Sequence, residues 1–340
     1  MKWLGLGLGA FSVVLWLISS DLVNILLPVQ TLFPVLLVGA TGLALIRRTT
    51  LTIASAALFT LFAVYIFISG RMGYSEETLA FENSGATLEG SLYVPEGAGP
   101  FPLVVIAHGS PCMPRRVYHT FADHLARNGV AVFSFDKRGT GNSGGHCVTE
   151  NNTSFENLTV LASDLSAGLE KASLHPLVDP GRLGIWGISQ GGWIAPLAAK
   201  LNPKVAFIAL VSGPSVSTGE ENYYSALTGD DHGGADNQLT QADIEALVDA
   251  REPSGFDPYL TLENLSIPIL WVFGGADSSV PVTKSIKRLE ALQELGKPYE
   301  IVLYPNSSHI LVEMVFPFRF SEGFQDLVAG WIKAQPAKTP

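Results

Sequence analysis

Six short apolar runs, separated by segments of helical character, constrain the fold of this chain more than any other feature. None of the six alternates polar and apolar residues, which is typical of strands covered on both faces. The intervening helical segments indicate that these strands are parallel. An alternating stretch over residues 87–94 predicts an antiparallel or edge strand. We therefore expect an α/β fold with a mostly parallel central sheet flanked by helices. The six runs cover residues 102–107, 130–135, 182–186, 205–211, 268–273 and 299–304.

The sequence predicts two helices and indicates where they begin and end. Residues 157–172 place leucines on one face, and "TSFE" at residues 153–156 predicts a capping box before them. A last helix is expected over residues 323–334. The segment of about residues 214–262 is too long for an ordinary connection, and only residues 241–251 have a helical pattern. We interpret this segment as a small lid-like insertion, with a disordered insertion as the alternative.

The first 73 residues differ sharply from the rest. Apolar stretches at residues 3–20, 22–46 and 51–69 are each about the ~20 residues that a membrane-spanning helix needs. We therefore expect an N-terminal transmembrane region of about three helices over residues 1–73, and a separate domain over residues 74–340. The first stretch also fits a cleaved signal peptide, because Lys2 precedes an apolar run. Arg47 and Arg48 are expected on the cytoplasmic side, which places residues 74–340 outside the cytoplasm.

The net charge limits the kinds of partner that the chain can bind, and the cysteine content limits its metal sites and disulfides. The net charge is −10, and residues 74–340 carry −13 once the +3 of the first 73 residues is removed. An acidic domain of this kind argues against a nucleic-acid partner or an anionic lipid surface, and favours a small-molecule or neutral partner. Only Cys112 and Cys147 are available. Two cysteines exclude a multi-cysteine metal site, and leave one bridge or two free thiols as alternatives.

A G-x-S-x-G motif spans Gly187 to Gly191, between an apolar run and an alanine-rich helical segment. In that context Ser189 is predicted at a sharp strand-to-helix turn, where side chains on the flanking residues would clash. Such a turn raises the Ser189 hydroxyl above the sheet. It also directs the backbone N–H of Gln190 towards a developing oxyanion at the helix N-terminus. The motif therefore predicts a nucleophilic serine for acyl transfer.

A serine nucleophile needs a base, and the base needs a carboxylate to orient it. In this type of sheet the expected chain order is serine, acid, histidine. Asp277 follows the apolar run 268–273 through a Gly-Gly turn, and His309 follows the run 299–304 through a short loop. The carboxyl ends of parallel strands lie at one edge of the sheet. We therefore predict that Ser189, Asp277 and His309 form a catalytic triad.

The loop after residues 102–107 is the candidate source of a second oxyanion donor. The backbone N–H of Ser110 is expected to point inwards there. His108 precedes the nucleophile and is interpreted as support for this loop rather than as the base. The "GTGNSG" at residues 139–144 resembles a dinucleotide fingerprint, but no helix pattern follows it directly, which argues against nucleotide binding. The preceding "FDKRG" is interpreted as a structural ion pair.

Four aromatic residues are candidates for an apolar pocket, although plain packing also explains aromatic side chains at such positions. They are Trp193, Tyr223, Tyr224 and Phe256.

The motifs "HGS", "FDKRGTGNSGG", "GISQGG", "GGADSSVP" and "NSSH" occur in an order that resembles the α/β-hydrolase superfamily. Within it, the chain is similar to bacterial serine esterases and to dipeptidyl-peptidase-like hydrolases over about residues 85–335. The resemblance implies Ser189 as nucleophile, Asp277 as acid and His309 as base. It also implies that Gln190 and Ser110 supply the oxyanion donors.

We therefore expect a membrane-anchored serine hydrolase that cleaves carboxylic esters through an acyl-enzyme and needs no cofactor or metal. The expected partners are a small-molecule ester or acyl substrate and the lipid bilayer, and the expected location is a bacterial inner membrane with the catalytic domain outside the cytoplasm. A peptidase is less expected, because the residues before the hydrolase region are too few for a propeller-sized domain. Thioesterase, acyltransferase and catalytically silent ligand-binding protein are the further alternatives.

Overall fold

The computed structural model describes residues 73–230, 238–313 and 319–338. Nearly all of them belong to one compact unit, Glu76–Glu313 with Ser321–Pro340. Of the other unit, Met1–Ser75 with Met314–Phe320, only residues 73–75 and 319–320 are described.

An eight-stranded sheet forms the centre of the larger unit, in the order β1-β2-β4-β3-β5-β6-β7-β8. β2 pairs antiparallel with β4, and every pair from β4 to β8 is parallel. The predicted mostly parallel sheet is therefore confirmed. The strands are β1 (Tyr74–Asn83), β2 (Ala86–Pro95), β3 (Phe101–Ala107), β4 (Ala131–Phe135), β5 (Val178–Ile188), β6 (Val205–Val211), β7 (Ile269–Gly274), β8 (Tyr299–Tyr304) and two short strands outside this sheet, β9 (Val312–Glu313) and β10 (Arg319–Phe320).

The alternating stretch at residues 87–94 is β2, and its antiparallel pairing confirms that prediction. β1 has no counterpart among the predicted strands. It lies at the edge of the sheet, and most of its side chains are exposed, including those of Glu76 and Glu77. A strand that faces water tolerates charged residues, so it shows no apolar run.

Eight α-helices and one 3-10 turn are described. They are the 3-10 turn Arg115–Tyr118, α1 (His119–Arg127), α2 (Phe155–Ala172), α3 (Gly191–Leu201), α4 (Thr218–Thr228), α5 (Gln241–Asp249), α6 (Tyr259–Asn264), α7 (Val282–Glu294) and α8 (Phe324–Ala334). The capping box predicted at residues 153–156 is wrong. Ser154 is the N-cap of α2, and its side chain accepts a hydrogen bond from the N–H of Asn157.

The described residues of the insertion at 214–262 include three helices, α4, α5 and α6, where the sequence predicted one. Capping boxes begin two of them, with Ser217 and Glu220 at α4 and Thr240 and Asp243 at α5. α4 was missed because its sequence, TGEENYYSALT, has no regular apolar stripe. Its stability comes from its caps and from contacts with the rest of the domain rather than from amphipathic patterning.

Helices cover the sheet so that the strands β3 to β7 have almost no exposed surface. α2 packs along α3, and leucines of α2 share one apolar cluster with alternate residues of β3, such as Leu103 and Val105. α1 packs against α8, where Phe121 contacts Trp186 of β5 with ring centroids 4.8 Å apart. The sheet therefore holds the ends of its strands in fixed positions.

The three apolar stretches at residues 3–20, 22–46 and 51–69 lie outside the described residues. Within the part of the chain that the structure describes, no helix combines the length and the apolar character needed to cross a bilayer.

Candidate active site

Ser189 lies in the sharp turn between the end of β5 and the start of α3. Its φ of +54° is in the left-handed region, which residues with a side chain rarely adopt. The flanking glycines are required by space. A β-carbon on Gly187 would lie 2.9 Å from the Leu210 side chain, and one on Gly191 would lie 2.9 Å from the carbonyl oxygen of Ala107. The turn thus has the geometry that raises a nucleophile above the sheet edge.

Asp277 follows β7 and His309 follows β8, and their side chains meet. His309 Nδ1 lies 2.8 Å from Asp277 Oδ2. Oδ1 accepts hydrogen bonds from the N–H groups of Ser279 (2.8 Å) and Val280 (2.9 Å), and the Asp277 side chain has no exposed surface. Nε2 is therefore the ring nitrogen that His309 can offer to a substrate. Ser189 follows a strand two positions along the sheet from β7, and among the described residues no hydrogen bond joins its Oγ to His309.

Opposing effects set the proton affinity of His309. Burial lowers the pKa of the imidazole, but the Asp277 carboxylate raises it by charge and by hydrogen bonding, and Asp230 and Glu221 raise it further. The net result is a pKa above the ordinary value for histidine. An imidazole with a raised pKa accepts a proton more readily, which suits a general base.

The loop after β3 adjoins Ser189. A β-carbon on Gly109 would lie 3.6 Å from Ser189 Cβ. The N–H of Gly109 donates to the Tyr118 hydroxyl (2.9 Å), and the carbonyl oxygens of Gly109 and Ser110 both accept from Lys137 Nζ. The N–H of Ser110 donates no hydrogen bond to any described residue. It is therefore available to a bound group.

Gln190 is the N-cap residue of α3, and its backbone N–H also has no acceptor among the described residues. Its side-chain amide is held at both ends. Oε1 accepts from Lys137 Nζ (3.0 Å), and Nε2 donates to the carbonyl oxygen of Asn152 (3.0 Å). The residue is thus fixed while its backbone donor remains unused.

His108 is buried and stacks on Tyr118, with ring centroids 4.2 Å apart. Neither ring nitrogen has a hydrogen-bond partner among the described residues. Burial, with a smaller contribution from the charge of Lys137, lowers the pKa of His108 to about 3. A ring with so low a pKa is a poor base, and its contact with Tyr118 supports the loop instead.

Residues of the insertion contact the loop that carries Asp277, which the sequence did not predict. The Tyr224 hydroxyl donates to the carbonyl oxygen of Asp277 (2.8 Å). Asp230 accepts hydrogen bonds from the hydroxyls of Ser278 and Ser279. No sequence signal could have identified these contacts, because the chain between β6 and β7 lacks a repeating pattern. α4 therefore directly supports the loop that carries Asp277, which we name the acid loop after the predicted role of Asp277.

A buried ion cluster joins the insertion to α7. The Glu220 side chain has no exposed surface and lies 2.6 Å from Lys284 Nζ and 3.5 Å from a guanidinium nitrogen of Arg288. Glu220 also accepts hydrogen bonds from the N–H (2.8 Å) and hydroxyl (2.6 Å) of Ser217. Arg288 reaches Asp257 as well, at 2.5 Å. These charges hold the insertion against the helix that follows the acid loop.

Cys112 and Cys147 form a disulfide, with Cα atoms 6.0 Å apart, which settles the alternatives left open by the sequence in favour of a bridge. The bond connects the chain just after Ser110 to the segment that precedes α2. The loop with the Ser110 donor is therefore anchored covalently at its far end.

Two charged residues of "FDKRG" form the predicted structural ion pairs. Asp136 pairs with Arg115 at 2.6 Å, and Arg138 pairs with Asp164 at 2.5 Å. The third, Lys137, binds the carbonyl oxygens after β3 instead. The glycine-rich turn that follows leads into no described helix before α2.

Packing accounts for three of the four candidate pocket aromatics. Trp193 is buried, and its Nε1 donates to a backbone carbonyl oxygen (2.8 Å). Arg251 lies over the Tyr223 ring at 4.2 Å. Phe256 stacks on Phe155 at 5.4 Å. Within the described residues, no group of three or more His, Cys, Asp or Glu side chains is placed to hold a metal ion.

Residues 118–316 match the model of the prolyl oligopeptidase family of peptidases. The chain is 29% identical over 247 residues to the uncharacterized peptidase YuxL of Bacillus subtilis, a match that covers 69% of this chain and 35% of that protein. The chain therefore spans about a third of the length of this relative.

Solved structures show the same fold. An acylaminoacyl peptidase of Pyrococcus horikoshii superposes with a TM-score of 0.59 and 20% identity, over 81% of this chain and 44% of that one. The Pyrococcus furiosus esterase Pf2001 superposes with a TM-score of 0.56 and 19% identity, over 77% of this chain and 93% of that one. These likenesses show an α/β-hydrolase fold.

Proposed function

The chain belongs to the prolyl oligopeptidase family of serine hydrolases, and from that premise we propose that it cleaves carboxylic esters through an acyl-enzyme on Ser189. The observation that carries the proposal is the arrangement at one sheet edge. Ser189 occupies a left-handed turn at the N-terminus of α3, and the hydrogen-bonded pair of Asp277 and His309 follows β7 and β8. This arrangement supports the proposal that Ser189 is the nucleophile, His309 the base and Asp277 the group that orients the base.

In the proposed reaction, Ser189 Oγ attacks the ester carbonyl carbon while His309 Nε2 takes the hydroxyl proton. The carbonyl oxygen becomes an oxyanion that accepts hydrogen bonds from the N–H groups of Gln190 and Ser110. The bond to the alcohol oxygen then breaks, and the alcohol leaves with the proton from His309. Water, losing its proton to His309, attacks the acyl-enzyme. The bond to Ser189 Oγ then breaks, Oγ takes the proton back from His309, and the acid and free Ser189 are released. Asp277 stabilises the imidazolium in both steps.

Esters are proposed as substrates because the Pyrococcus furiosus esterase Pf2001 shares this fold. The family match itself favours a second candidate, a serine peptidase with the same acyl-enzyme chemistry. The two candidates differ in the leaving group, an alcohol or an amine.

The test is hydrolysis of p-nitrophenyl esters from acetyl to palmitoyl, beside a dipeptidyl p-nitroanilide, by detergent-solubilised protein. We expect ester hydrolysis that falls about 10⁴-fold or more in Ser189→Ala. Ser212→Ala is the matched control, because Ser212 also ends a strand with a positive φ, of +47°, and has no role in the proposed reaction. Faster cleavage of the anilide than of every ester would establish the peptidase instead. Equal activity of wild type and Ser189→Ala would overturn both.

We also propose that residues 1–73 anchor the protein in a membrane, that residues 74–340 lie outside the cytoplasm, and that the insertion forms a small lid. The apolar stretches of the first 73 residues support the anchor, and the bridge between Cys112 and Cys147 fits an oxidising compartment. Reporter fusions after residue 48 and at the C-terminus test the topology. A cytoplasmic signal from the first and an external signal from the second are expected, and cytoplasmic signals from both would contradict it.

A further inference from the structure

Lys137 lies two residues beyond β4 and is almost completely buried, with 4% of its surface exposed. Its ammonium group donates hydrogen bonds to the carbonyl oxygens of Gly109 (2.8 Å) and Ser110 (3.0 Å) and to Gln190 Oε1 (3.0 Å). An ammonium group has three protons and no acceptor, so these contacts satisfy its protonated form completely. A single cation therefore joins the loop after β3 to the nucleophile turn.

Peptide geometry links this cation to the Ser110 N–H. The carbonyl of Gly109 and the N–H of Ser110 belong to the same peptide unit, and in a trans peptide bond they point in opposite directions. The hydrogen bond that holds the Gly109 oxygen towards Lys137 therefore directs the Ser110 N–H away from it. The positive charge also polarises the peptide unit and strengthens its N–H as a donor.

The other backbone groups of this loop are already engaged. Tyr118 accepts from the Gly109 N–H, and Lys137 binds the Ser110 carbonyl. Of the two N–H groups of Gly109 and Ser110, only that of Ser110 has no acceptor in the described part of the chain. Lys137 also holds the side chain of Gln190, whose backbone N–H is equally unused. Both proposed oxyanion donors thus belong to residues that Lys137 binds.

We propose that Lys137 is a positioning residue of the oxyanion hole, whose ammonium group fixes and strengthens the backbone donors of Ser110 and Gln190. This rests on the proposed acyl-enzyme reaction, because it requires these two N–H groups to meet the oxyanion. The interaction gains strength as negative charge develops on the substrate oxygen. Lys137 therefore lowers the energy of the tetrahedral intermediate more than that of the bound ester.

Lys137→Met keeps an unbranched side chain and removes the charge. We expect kcat for ester hydrolysis to fall about 10²-fold, the loss typical of one oxyanion donor, with little change in KM. Affinity for a trifluoromethyl ketone, whose adduct with Ser189 carries the oxyanion, should fall by a similar factor.

Arg138→Met is the matched control, because it removes the adjacent cation and breaks an ion pair with the buried Asp164 without touching the loop after β3. Thermal unfolding of both variants gives their stability. Unchanged kcat and ketone affinity in Lys137→Met would overturn the proposal. An equal loss of kcat in Arg138→Met would overturn it too, since the effect would then follow stability.

A second measurement is the pH dependence of ketone affinity, in which the wild type itself gives a readout. Burial lowers the pKa of Lys137 to about 8, and the groups around it are three neutral oxygens and His108, which its own low pKa keeps uncharged. Ketone affinity should therefore weaken as the pH rises above about 8, and this alkaline decline should be absent in Lys137→Met. Affinity that stays constant in the wild type to about pH 10 would contradict the proposal.

Labelling of Ser189 with a fluorophosphonate distinguishes failure of the proposed function from failure of the role proposed for Lys137. A wild-type protein that is neither labelled nor active on esters would refute the proposed function. A wild-type protein that is labelled and active, beside a Lys137→Met variant with the same kcat, would refute only the role of Lys137.

Discussion

At the scale of single residues, the carboxylates around His309 make a prediction about pH. The imidazole must be neutral to accept the Ser189 proton. Its raised pKa therefore places the acid limb of the pH profile of kcat/KM at a higher pH than the ordinary pKa of histidine would. Asp230→Asn removes one of the charges that raise this pKa. We expect the acid limb to move to lower pH, because one of the charges that stabilise the imidazolium is removed.

Two controls define that measurement. Because Asp230 is exposed, the difference between wild type and Asp230→Asn should shrink in about 1 M salt. Glu170→Gln removes a carboxylate that pairs with Lys204 and does not contribute to the pKa of His309, so it should leave the limb in place. An acid limb at the same pH in wild type and Asp230→Asn would show that Asp230 does not tune the base.

The sequence could predict the candidate site residues that follow strands, because Ser189, Asp277 and His309 each occupy a short segment after an apolar run. It could not predict that Lys137 and Tyr224 bind backbone carbonyl groups beside that site, although Tyr224 was a candidate for an apolar pocket. Their contacts join residues 27 or more positions apart through backbone carbonyl groups. A backbone acceptor has no sequence signature, since every residue carries one.

At the scale of elements, the stability of α4 and its connection to α7 depend on Glu220. Glu220→Ala leaves Lys284 and Arg288 without their buried partner and removes the capping box of α4. We expect the free energy of unfolding to fall by about 3 kcal/mol, measured by urea denaturation. Asp243→Ala breaks the equivalent capping box of α5, where the carboxylate is exposed, and should cost much less. Equal losses in the two variants would show that the cap, and not the buried ion pair, carries the effect.

Helix and strand positions were predictable where an element is buried. The strands β3 to β8 coincide with the six apolar runs to within a few residues. For β3 to β7 the reason is burial on both faces, which requires apolar side chains. β8 lies at the edge of the sheet and is only partly buried, so the expectation that it is covered on both faces is wrong. β1 and α4 escaped prediction for the opposite reason. β1 faces water, and α4 is held by its caps and by contacts with α7 and the acid loop. Neither element therefore needs a periodic apolar pattern.

At the scale of the whole molecule, the disulfide closes a loop of 35 residues that includes β4 and Lys137. Replacing both cysteines, as in Cys112→Ser with Cys147→Ser, should lower stability by about 4 kcal/mol through the entropy of the unfolded chain. A loss of that size lowers Tm by roughly 10 °C in a domain of this length. Wild-type protein treated with a reductant should show the same fall. The double variant should not respond to the reductant, and a wild-type Tm that is insensitive to it would contradict the prediction.

The left-handed backbone of Ser189 has a consequence for evolution in the laboratory. Holding a residue with a side chain in that conformation costs about 1 kcal/mol, whereas glycine adopts it freely. A library selected only for heat resistance would therefore tolerate or favour glycine at position 189, and would yield robust but inert molecules. Persistence of serine at this position under selection for heat resistance alone would mean that folding, and not only hydrolysis, keeps it there.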